Sequence, residues 1–152
     1  MDAVAYPDAA VTRFLNENFI PLRIPSDHAE LGPRFRIKWT PSLLTLDGDG
    51  VEHNRILGFV SPQELVPAML LGMGKARFNR AERSEAIKCF ERILADFSKS
   101  FQVPEAIYLL GVSRYIETKD AAHLIGIYDR LTAEHPKSQW AMRADPYRLL
   151  KK

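Results

Sequence analysis

The sequence predicts an α/β region over residues 1–78 followed by an all-α region over residues 79–152. Strand-like apolar runs and a strong Asp-Gly turn fall only in the first region. From about residue 80 the apolar side chains take up helical spacing instead. Within that second region an eleven-residue pattern recurs 38 residues further on.

Pro7 and Asp8 open a segment in which Val11, Phe14, Leu15 and Asn18 fall at helical spacing, with only Asn18 breaking the stripe. Residues 19–24 then alternate well enough for a strand, although Pro21 lacks an N–H and suits an edge position. A polar connection leads to a short helical piece over residues 29–35 and on to Pro41. Residues 42–47 form a compact apolar strand. Asp47-Gly48-Asp49-Gly50 is turn chemistry, because glycine supplies the positive φ a hairpin needs, and residues 51–57 are the partner strand. Ser61-Pro62-Gln63-Glu64 is a capping box with proline at the first helical position, and Leu65, Met69, Leu70 and Met73 give the helix after it an apolar face.

Three helical stripes follow: Ile87, Phe90, Leu94 and Phe97; then Tyr108, Val112, Tyr115 and Ile116; then Leu124, Tyr128 and Leu131. Pro104 and the Thr118-Lys119-Asp120 break separate them. The segment from Phe90 to Ser100 aligns with that from Tyr128 to Ser138, repeating aromatic, acid, Arg, aliphatic, Ala, acid and a Lys-Ser tail in order. Such two-helix repeats stack, because one unit cannot bury its own face.

With 152 residues and 46% hydrophobic content the chain can bury a core without metals or disulfides. Its 21 basic and 19 acidic side chains are interspersed, which does not suggest a nucleic-acid partner. A single cysteine, Cys89, excludes an internal disulfide framework and makes a reducing compartment the default. The stretch after Met1 lacks the basic start and long apolar run of a signal peptide, and no segment has the roughly 20 apolar residues that span a bilayer. Taking Met1 as the start, the expectation is a cytoplasmic protein with no membrane contact and no cofactor.

The stretch from Trp39-Thr40-Pro41 through the Asp47-Gly48-Asp49-Gly50 turn and residues 51–58 resembles the second half of a thioredoxin fold. The resemblance covers about residues 1–75. It implies that residues 3–18 correspond to the first helix beyond the redox motif, residues 19–24 to the next strand, and Thr40-Pro41 to the cis-proline site. The family's first strand and its Cys-x-x-Cys have no counterpart here, and that strand is central in the family's sheet. Three arrangements close the gap: direct pairing of the two flanking strands, a strand from another chain in a homodimer, or a start upstream of Met1. The second region resembles the tetratricopeptide repeat group, on Pro104 to Gly111 and Ala133 to Ser138, with a period longer than the usual one and only about two units.

Trp39, Thr40 and Pro41 are the candidate peptide-binding residues. The resemblance implies that the residue before the cis-proline offers its backbone to an extended peptide, a contact that needs no cysteine, and Trp39 beside it supplies an apolar anchor. Cys89, on a partly apolar helix face, reads as a small buried side chain. His28, His53, His123 and His135 are scattered without metal-ligand spacing. Gly72-Met73-Gly74-Lys75 lacks the rest of a phosphate loop and reads as a loosening of the linking helix. Arg77, Arg80, Arg83 and Lys88 read as a solvated face, and the aromatics Tyr108, Tyr115, Tyr128, Trp140 and Tyr147 as packing between helices. The expected role is a redox-inactive protein-binding or scaffold module. The alternative is a thiol-disulfide oxidoreductase whose Cys-x-x-Cys lies upstream of Met1.

Overall fold

The structure, a computed structural model, describes residues 1–151. It is mostly helical, with one small antiparallel sheet. Backbone contacts divide it into two compact units, Met1–Val66 and the chain from Pro67 onward, the division falling inside a helix.

In the first unit, α1 (Ala9–Asn18) starts at Asp8, whose side chain accepts from the amides of Ala10 and Val11 at 2.9 and 3.0 Å. Val11 and Phe14 are buried, as the spacing predicts, and Asn18 caps the far end by donating to the Phe14 carbonyl at 2.8 Å. Residues 19–24 are not a strand. They run as irregular chain with Ile20 98% and Leu22 78% exposed, and among the described residues the sheet has two strands. Pro21 within the stretch and Pro25 just after it have no N–H to donate to a ladder. Direct pairing of this stretch with the hairpin is therefore not how the sheet is built.

The short α2 (Leu31–Arg34) lies inside the predicted helical piece. It leads to β1 (Ser42–Leu46) and β2 (Glu52–Leu57), antiparallel with Ser42 opposite Leu57 and Thr45 opposite Asn54. Leu46 then faces Glu52, so His53 is the extra residue of a bulge. Gly50 closes the turn at φ 75°, a conformation that favours glycine.

The helix α3 (Pro62–Asn79) begins at the predicted proline and contains the boundary between units. It runs unbroken through Gly72-Met73-Gly74-Lys75, so these residues do not loosen it. Gly74 is there for space: a Cβ at this position would collide with the Phe90 ring. Lys75 pairs with Glu105 at 2.7 Å.

Four further helices complete the second unit: α4 (Arg83–Asp96), α5 (Val103–Thr118), α6 (Ala122–Glu134) and α7 (Gln139–Ala144), followed by a 3₁₀ turn over Asp145–Leu150. Each packs on the next. The 38-residue recurrence is structural as well as sequential. Phe97 and His135 end α4 and α6 in nearly the same backbone conformation, donating to the Ile93 and Leu131 carbonyls at 3.0 and 2.9 Å. Ser100 and Ser138 then donate back to Phe97 and His135, and their side chains accept from amides at the start of the following helix. Buried positions coincide at that offset: Cys89 with Ile127, Ile93 with Leu131, Val103 with Ala141, and Ala106 with Ala144. Even the surface pairs recur, Arg92 with Asp96 and Arg130 with Glu134.

Candidate functional site

The site is built where the loop after α2 becomes β1. Pro41 follows a cis peptide bond from Thr40. The Pro41 carbonyl accepts from Gly58 at 2.8 Å, and at the other end the Asp47 amide donates to the Val51 carbonyl at 3.0 Å. Both groups point toward β2. Because backbone direction alternates along a strand, Leu43 and Thr45 also point toward β2, and Ser42 and Leu44 present their N–H and C=O groups to the opposite side. Among the described residues that outer edge pairs with no strand, and the backbones of Thr40, Ser42 and Leu44 bond to no loop.

Trp39 stands at the head of this edge, 65% exposed, with its carbonyl held by the Ser42 hydroxyl, which donates to it at 2.5 Å. Thr40 is exposed and Pro41 half-buried. Trp39, Thr40 and Pro41 thus lie together at the beginning of an unpaired strand edge. The arrangement can accept an extended backbone and offer an indole surface to one of its side chains.

The hairpin is held by groups that residue spacing did not reveal. The Asp47 carboxylate accepts from the Asp49 and Val51 amides at 3.0 and 2.9 Å and lies 2.8 Å from His53 Nε2, both side chains being almost fully covered. The hydrogen bond from His53 and those from the turn amides hold its carboxyl below the usual range. The bulge makes this contact, since it turns His53 out of simple alternation. On β2, Arg55 donates to the Phe35 carbonyl and to both Glu52 oxygens, at 2.6 to 2.7 Å, which ties the segment before Trp39 to the sheet.

The remaining candidates have structural work. Cys89 is buried at the position Ile127 takes in the second helix pair, and burial pushes its thiol up. His28 Nδ1 accepts from the Glu30 and Leu31 amides, at 3.3 and 3.2 Å. Among the described residues no three His, Cys, Asp or Glu side chains converge as metal ligands would. Tyr108 packs against Trp140 at 5.2 Å and Tyr147 at 6.0 Å, with the two tyrosine hydroxyls 2.9 Å apart. The basic run is not a plain solvated face. Arg77 and Arg80 clamp Glu82, and Arg83 stacks on Phe78 at 4.3 Å while donating to its carbonyl. No helix among the described residues is long and apolar enough to cross a membrane.

No protein-family model, curated protein or solved structure matches the chain.

Proposed function

We propose that this chain is a protein-binding module of thioredoxin-like and tetratricopeptide-like descent. It receives an extended segment of a protein partner along the outer edge of β1, from Thr40 to Leu44. The unpaired backbone of that edge carries this reading. Each N–H and C=O there is a hydrogen-bonding group with a free direction, and adding a strand satisfies them in register. The strand's apolar, uncharged sequence, Ser42-Leu43-Leu44-Thr45-Leu46, has none of the charges by which edges are usually blunted. Trp39 supports the reading as the anchor, because a large exposed aromatic beside a backbone-pairing edge is the residue type that dominates interface energies.

Disulfide exchange requires an attacking thiolate and a resolving thiol. The described chain has one thiol, which is buried with its proton held more tightly than usual. In this reading these residues act by binding rather than by disulfide exchange, in the cytoplasm, with the helical repeats as a scaffold.

The test is titration of the isotope-labelled full chain with a capped seven-residue peptide of alternating Thr and Val. The amides of Thr40, Ser42 and Leu44 should shift most, and Trp39→Ala should weaken binding about tenfold, the effect of losing an aromatic anchor worth ~1.4 kcal/mol. Peptide binding that leaves those amides unmoved would overturn the reading.

A further inference from the structure

The loop that delivers Trp39 also carries positive charge with no partner. Among the described residues, the side chains of Arg36 and Lys38 are exposed and make no ion pair and no hydrogen bond. Arg34 stacks on Phe35 at 5.3 Å and is likewise without a carboxylate. Elsewhere many cations are paired, such as Arg55 with Glu52, Arg77 and Arg80 with Glu82, Lys88 with Glu85, and Arg114 with Glu91, while Arg13, Lys99, Lys119 and Lys137 are scattered singly without an ion pair among the described residues. Arg36 holds its place at a cost, at φ 51° in the left-handed region that a side chain such as arginine rarely adopts. Arg36 and Lys38 border an open depression of about 490 Å³ that also involves Ser26, His28 and Ile37, with Asp27 the sole acid on its wall.

We infer that the extended partner received by β1 is acidic, and that its acidic residues follow the paired stretch. This inference rests on the proposed strand addition and adds the partner's chemistry and direction. Pairing antiparallel to β1, the more stable of the two ladders, sends the partner's chain past Leu44, Ser42 and Thr40 in that order. The residues after the ladder then pass Trp39 and reach Lys38, Arg36 and the depression. Carboxylates placed there meet two free cations. A basic tail meets repulsion, which gives selectivity as well as attraction.

The test uses three labelled peptides with the same Thr/Val core, extended at the C-terminal end by three Glu, three Lys or three Ser residues. Binding to the full chain is read by fluorescence anisotropy. The Glu peptide should bind about tenfold more tightly than the Ser peptide, and the advantage should shrink at 0.5 M salt, where screening reaches only ~4 Å. The doubly substituted Arg36→Asn, Lys38→Gln chain should lose the preference and keep its affinity for the Ser peptide. Asparagine tolerates the left-handed backbone at position 36, so folding is not at stake. Equal binding of the three peptides with shifts at Thr40 and Leu44 would overturn the acidic preference alone. Absence of binding by all three would overturn strand addition with it, as would a dimer of this chain that protects the same amides.

Discussion

The Asp47 carboxylate accepts hydrogen bonds from two amides of its own turn and from His53, and every one of these favours its ionised form. A group whose carboxyl is held below its unfolded value, about 3.9, stabilises the fold at all pH values above that. The contribution then disappears as pH falls through the folded value. Asp47→Ala should lower the melting temperature at pH 7, and the gap between variant and parent should narrow as the pH falls through the folded value, as melts recorded from pH 2 to 7 would reveal. A gap that persists unchanged in acid would mean that the turn gains nothing from the charge. The Asp-Gly composition made the turn legible in the sequence, since Gly50 needs the positive φ it adopts. The His53 contact was not legible, because it depends on a bulge that no alternation pattern encodes.

At the scale of elements, helices were legible where apolar spacing and local signals agreed. Asp8 starts α1, Pro62 starts α3, and the Phe90 and Tyr128 segments end their helices in the same geometry. The stretch 19–24 failed as a strand because alternation supplies side chains to a sheet but not a partner for its backbone, and Pro21 removed a donor from one edge. Glycines misled for a related reason. Gly74 marks a close helix contact with Phe90 rather than a loosening, and Gly111 marks another, with Ile127. Gly111→Ala should cost about 1–3 kcal/mol, since its Cβ would meet the Ile127 side chain and the His123 carbonyl. Gly126→Ala, on a helix with open space beside it, should instead add ~0.5–1 kcal/mol by removing backbone freedom from the unfolded chain. Urea unfolding of the two variants measures both signs, and a loss at position 126 equal to that at 111 would contradict the packing argument.

For the whole molecule, composition and periodicity sufficed to predict a mixed region followed by a helical one, and the repeat places a two-helix unit twice in the second. The candidate site was legible as a loop entering a strand, Trp39-Thr40-Pro41. The resemblance already implied a gap beside this strand, but that residues 19–24 leave it unfilled was not legible, because which edge of a strand lacks a partner is decided by the rest of the sheet. The free cations at Arg36 and Lys38 also escaped notice, since pairing is a property of neighbours in space. Strand addition at this edge is the central claim, and amide hydrogen exchange in the free, dilute chain tests it most directly. The account predicts that Leu43 and Thr45, bonded toward β2, exchange slowly, whereas Ser42 and Leu44, facing the open edge, exchange markedly faster. Slow exchange at all four positions in the free monomer would mean that the edge is already occupied, and would contradict the account.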